Sequence, residues 1–104
     1  MVLYVAKWNI HPDKVEAYNK WVGDAIRRVL ALPGVVEFRA YRGAAGTSQV
    51  VCTYEFADLA GWAAFWSSEE HRKLRDELYT LATDVTAELW GPSPVVPKPI
   101  RPGK

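Results

Sequence analysis

The sequence predicts an α+β fold in the order β-α-β-β-α-β: one four-stranded antiparallel sheet with its helices on a single face. Three observations carry that reading. Two faces alternate residue by residue over 2–10 and again over 48–56, the period of a strand. After Pro12, apolar residues recur at helical spacing from Val15 to Leu30. Between these runs stand Leu32-Pro33-Gly34 and Gly43-Ala44-Ala45-Gly46, which punctuate the chain with turn-forming residues.

The first strand sets Tyr4, Ala6, Trp8 and Ile10 on one side and Leu3, Val5, Lys7 and Asn9 on the other. Pro12 suits the first turn of a helix, where its missing N–H costs nothing. The helix stripe is Val15, Tyr18, Trp21, Val22, Ala25, Ile26, Val29 and Leu30, with Lys14, Glu16, Lys20, Asp24, Arg27 and Arg28 on the other faces. A second strand runs from Val35 to about Arg42 and turns Val36, Phe38 and Ala40 toward the helices. The glycine-bounded turn joins it as a hairpin to a third strand, about Ser48 to Phe56. Asp58 can cap a short helix bearing Trp62, Phe65 and Trp66. Ser67 or Ser68 then breaks it and caps another, striped by Leu74, Leu78 and Leu81. A last strand alternates Val85, Ala87 and Leu89 with Thr86, Glu88 and Trp90.

These elements make residues 1–90 one domain. Residues 91–104 carry five prolines and read as an extended, polyproline-like tail. The tail either stays disordered or lies across a partner subunit, with Val95, Val96 and Ile100 to bury.

Composition narrows the function classes. The formal net charge is +1 and no basic run occurs, so neither nucleic acid nor an anionic membrane is an expected partner. No apolar stretch reaches the ~18 residues of a membrane span, and the start does not read as a signal peptide. Cys52 is the only cysteine, which excludes an intrachain disulfide and suits a cytoplasmic location. With only His11 and His71 beside it, no Cys/His metal site is expected.

The order of elements is the ferredoxin-like one, with the first and third strands central. The face away from the helices collects Leu3, Val5, Val35 and Val51 beside Lys7, Glu37, Arg39, Glu55 and Glu88. It is too apolar for water and too charged for a plain core. A second copy stacked on it resolves the conflict, so a homodimer, a dimeric α/β barrel, is expected. A wet monomeric sheet is the competing reading. Strand direction gathers Asn9, His11, Arg39, Tyr41 and Gln49 toward one polar end of that face.

Four segments carry a family resemblance: YVAKWNIHPDKVEAY, LPGVVEFRAYR, VVCTYEFADLAGWAAFWSSEEHRKL and DVTAELW. Together they resemble the dimeric α/β barrel superfamily, especially antibiotic biosynthesis monooxygenase-like proteins, over about residues 2–90. The resemblance implies a cavity between sheet and helices that takes a small hydrophobic aromatic or carbonyl compound. It also implies oxygenation without metal or flavin, or the related work of a small cyclase or isomerase, so no cofactor is expected. Trp66 stands where the family commonly has a helix-two tryptophan. The haem-degrading branch needs an Asn on strand one and a His on the later helix. Here those positions fall on Ala6 and near Arg75 or Asp76, which disfavours haem degradation.

The candidate catalytic residues are His11, Arg39 and Tyr41. His11 can act as a base, imidazole being the side chain suited to that work near neutral pH, or is simply a solvated junction residue. Arg39 can polarise a carbonyl, or forms a structural pair with Glu37. Tyr41 can hydrogen-bond a ligand or pack at an interface. The candidate substrate-binding residues are Asn9, Glu37, Gln49, Trp62 and Trp66, the two tryptophans being a pocket wall or plain core. His71 reads as an exposed early-helix residue, and Cys52 as a buried, inert thiol. A non-catalytic binding or stress-related module is the alternative to an enzyme.

Overall fold

A computed structural model describes residues 1–103. Strand β1 is Val2–Ile10, and a single 3-10 turn, Pro12–Lys14, leads into helix α1, Val15–Leu30. Strands β2, Val35–Arg42, and β3, Val50–Phe56, form the hairpin. Helices α2, Leu59–Ser67, and α3, Glu69–Leu81, precede strand β4, Ala82–Trp90. The sheet order is β2-β3-β1-β4 with every pairing antiparallel. This is the ferredoxin-like α+β fold, with β1 and β3 central.

Short-range chemistry sets the boundaries. The Asp58 carboxylate accepts from the Gly61 N–H at 2.8 Å, and the Ser68 hydroxyl accepts from the His71 N–H at 3.1 Å, so α2 and α3 each start on a side-chain cap. α1 ends before Gly34, whose φ of 103° is open only to a residue without a Cβ at little cost. Both helix faces and the sheet then close on an aromatic centre in which Phe56 and Phe65 have no exposed surface.

Two expectations are corrected by irregular pairing. Val35 pairs with Phe56 and Glu37 with Glu55, so Val36 is an extra residue at a β-bulge. Val35 therefore packs on the helix-side core and Val36 is 60% exposed, the reverse of strict alternation. A second irregularity lies in β4 opposite Trp8, where Asp84 takes a φ of 54°. β3 begins at Val50, later than Ser48, and β4 begins at Ala82, earlier than Val85. Residues 91–103 contain no helix or strand and are exposed.

Candidate active site

One row of the sheet explains where space remains inside the molecule. Ala40 pairs with Cys52, Cys52 with Ala6, and Ala6 with Ala87. Four small side chains thus stand side by side across all four strands on the face that meets the helices. The neighbouring row on one side is Phe38, Tyr54, Tyr4 and Leu89, and on the other it includes Val50 and Trp8. Bulky rows flanking a small one leave a trench, and α1 and α3 roof it without filling it. The result is a cavity of about 190 Å³. Ala40 and Ala87, on the outer strands, are exposed, so the trench runs out toward both edges of the sheet.

The roof is held by an ion cluster between the helices. Arg28 of α1 reaches Glu70 at 2.8 Å and Glu77 at 2.8 and 3.0 Å, both on α3. The Trp21 indole N–H donates to Glu77 at 2.8 Å. Hydrogen bonds from Arg28, then from Trp21, hold the Glu77 carboxyl below the ordinary carboxylate range. Shared charge-assisted bonds of this kind fix the spacing of two helices better than apolar contact alone.

Most of the lining is apolar, and its polar groups fall near two ends of β1. Near Tyr4 stand His71 and Arg75 of α3, one helical turn apart, with Tyr79 beyond. The His71 ring packs against Phe65, Trp66 and Tyr4 at centroid distances of 4.5, 5.2 and 6.5 Å. It is 5% exposed, so the expected surface residue is instead a buried one, and its Nδ1 has no hydrogen-bond partner. Burial, then the charge of Arg75, pushes its pKa down to about 4, so the ring is neutral at pH 7. The Arg75 guanidinium lies 3.8 Å from the Trp66 ring centre, and among the described residues no carboxylate pairs with it. Burial pushes the Tyr4 hydroxyl up to about 12, so it stays protonated. Four residues further along β1, roughly 13 Å at strand rise, Trp8 meets Tyr18 of α1. Cys52 is buried in the floor, and burial pushes its thiol up to about 11, which makes it inert.

The sequence-predicted residues separate into two groups. Trp66 lines the cavity, and Trp62 stacks on it at 5.9 Å without lining it. Glu37, Arg39 and Tyr41 lie on the open face of β2, away from the cavity, with Arg39 paired to Glu37 at 2.8 Å. Asn9 and Gln49 are occupied by the sheet: the Gln49 N–H donates to Asn9 at 2.8 Å and the Ile10 N–H to Gln49 at 2.7 Å. The Asn9 amide also donates to Asp84 at 3.3 Å. The His11 Nδ1 accepts from the Asp13 N–H at 3.1 Å and so caps the 3-10 turn. Tyr4, Tyr18, His71 and Arg75 also line the cavity, and no motif in the sequence marks them. The row of small residues signals them, but it appears only once four strands are in register.

The sequence pattern of the antibiotic biosynthesis monooxygenase family matches residues 1–77. The chain belongs to that family. Among solved structures, this family member is similar to a dabb family protein with a ferredoxin-like fold from Mesorhizobium loti. The identity is 18%, the TM-score is 0.78, and the match covers 88% of this chain and 96% of that one. It is also similar to SnoaB, a cofactor-independent oxygenase from Streptomyces nogalater, at 15% identity and TM-score 0.72, over 93% and 97% of the two chains. A dimeric ferredoxin-like protein of unknown function from Thermobifida fusca matches at 15% identity and TM-score 0.72, over 86% and 88%. No curated protein matches the sequence. At these identities the structural likeness concerns the fold. None of the helices among the described residues is long and apolar enough to cross a membrane.

Proposed function

We propose that this family member is a cytoplasmic homodimer that oxygenates a small, hydrophobic aromatic or carbonyl compound without a cofactor. The observation that carries the reading is the trench over the small-residue row, walled by Trp8, Trp66 and Tyr4 and bordered by Arg75, a cation that no carboxylate among the described residues pairs. A cavity of about 190 Å³ suits a ligand of about one substituted ring, since ~150 Å³ of apolar cavity already accepts benzene. In a reaction of this type the substrate itself reduces oxygen: a ring CH₂, which a quinol presents in its keto tautomer, becomes C=O, one oxygen atom enters the product, and the other leaves with both hydrogens as water. Substrate ionisation is the step that needs protein help. Arg75 lowers the cost of the developing negative charge, and His71 beside it can take the proton once the substrate anion offsets the Arg75 charge that keeps the ring neutral. The likeness to a cofactor-independent oxygenase supports the reaction class, and the likeness to a dimeric protein supports the assembly.

Oxygen uptake with one-ring, electron-rich quinols tests the reading. Uptake by the native chain should vanish in Ala6→Leu, which fills the trench at its centre. Native protein that consumes no oxygen above the quinol's own autoxidation would sink it. The absence of a hydrogen-bonded catalytic pair on the lining, where among the described residues the His71 Nδ1 has no partner, favours a second reading, in which the same cavity binds a ligand without turning it over. Saturable binding of quinols with no oxygen uptake would select that one.

A further inference from the structure

The Trp8–Tyr18 pair is a polar device inside the cavity that neither the family nor the reaction class explains. The Trp8 indole N–H donates to the Tyr18 hydroxyl oxygen at 3.1 Å. An indole nitrogen can only donate, so in this pair Tyr18 must be the acceptor. Its own O–H proton is thereby turned away from Trp8, and among the described residues it meets no acceptor. Tyr18 is 5% exposed, and burial raises its pKa, so the proton stays on the oxygen across the neutral range. Both residues line the cavity. A buried hydroxyl with an unspent proton costs free energy until an acceptor arrives. It selects a group that accepts and does not donate, because any proton on the incoming group would itself be left unpaired against the apolar wall.

We infer that Tyr18, oriented by Trp8, is the hydrogen-bond donor for a carbonyl oxygen of the ligand, so that the cavity prefers a one-ring ketone, the keto tautomer of a phenol included, over its alcohol or hydrocarbon counterpart. Tyr18 is the binding residue and Trp8 the positioning residue. The inference rests on the cavity reading above and extends it to a named donor on the side of the trench opposite Arg75.

Tryptophan fluorescence titrations of the full chain with acetophenone and α-methylstyrene test it, because the two differ only in C=O against C=CH₂. The native protein should bind the ketone about tenfold more tightly, the scale of one neutral hydrogen bond. Tyr18→Phe should bring the two affinities together. The carbonyl stretch of bound acetophenone should move to lower wavenumber in the native protein and not in the variant, a change that looser packing alone would not produce. Trp8→Phe frees a lone pair on Tyr18 and should narrow the preference for acetophenone over 1-phenylethanol. The double variant Trp8→Phe/Tyr18→Phe removes both partners and covers the case in which a lone Trp8 N–H destabilises Tyr18→Phe. Equal native binding of acetophenone and α-methylstyrene, or a ketone preference that survives in Tyr18→Phe, would overturn the assignment. Ketone preference without oxygen uptake sinks the oxygenase reading alone. Oxygen uptake with an unchanged Tyr18→Phe preference sinks this one alone. Binding of neither ligand removes both.

Discussion

His71 shows how burial changes what a residue can be. It sits three residues after the Ser68 cap, a position that reads as solvated, yet Phe65, Trp66 and Tyr4 enclose its ring. Its pKa is about 4 in the folded chain against about 6.5 when unfolded, so the unfolded state binds the extra proton more readily between those values. Stability should therefore be intact above about pH 6.5 and fall as pH drops toward 4, by roughly 3 kcal/mol in total. Urea midpoints compared between the native chain and His71→Leu across that range isolate the effect, since carboxylates titrate in both. Parallel curves for the two proteins would show that His71 is not held neutral. The sequence offered no cue to this, because α3 turns residue 71 inward only once α2 has packed beneath it. Cys52 was legible at this scale: strict alternation in β3 put it on the core side, where it is found.

Elements were the most legible level, because caps, glycines and periodicities act over a few residues. Asp58 and Ser68 cap the helices expected of them, and the Gly43–Gly46 segment joins β2 to β3. The two glycines of that turn do different work. A Cβ on Gly43 would collide with the Ser48 carbonyl oxygen, which is backbone and cannot rotate away. A Cβ on Gly46 would meet open space and face only the strain of a φ of 94°. Gly43→Ala should therefore cost about 2 kcal/mol or more, and Gly46→Ala about 1 kcal/mol. Thermal unfolding of the two variants side by side checks the order, and equal losses would contradict it. The bulge at Val36 was not legible. Val35 and Val36 are equally apolar, so nothing local says which faces the core, and the pairing with Phe56 decides it.

For the whole molecule the open face of the sheet sets the question. Leu3, Val5 and Val51 share it with Arg39, Glu55 and Glu88, and Val5 is already 2% exposed in one chain. Stacking two such faces, as proposed above, would account for the mixture of apolar and charged groups and would place Glu37, Arg39 and Tyr41 at an interface. The chain should then sediment as a dimer at low micromolar concentration. Thr53→Arg, which adds a charge at the centre of the face beside Val5, should yield a folded monomer. A native chain that sediments as a monomer would end the dimer proposal and leave the cavity untouched, since the residues that line the trench all belong to one chain.

The sequence by itself determined the element order, the helix caps, the apolar faces and the turn, since each follows from neighbours within a few positions of one another. Family membership was legible for the same reason. The tertiary structure alone decided where the cavity lies. Its floor joins residues 6, 40, 52 and 87, whose alignment depends on three strand pairings and two bulges. In the sequence those four are ordinary small residues on four strands. Only their register makes them one row, and only the bulky rows beside them keep α1 and α3 from filling the space above.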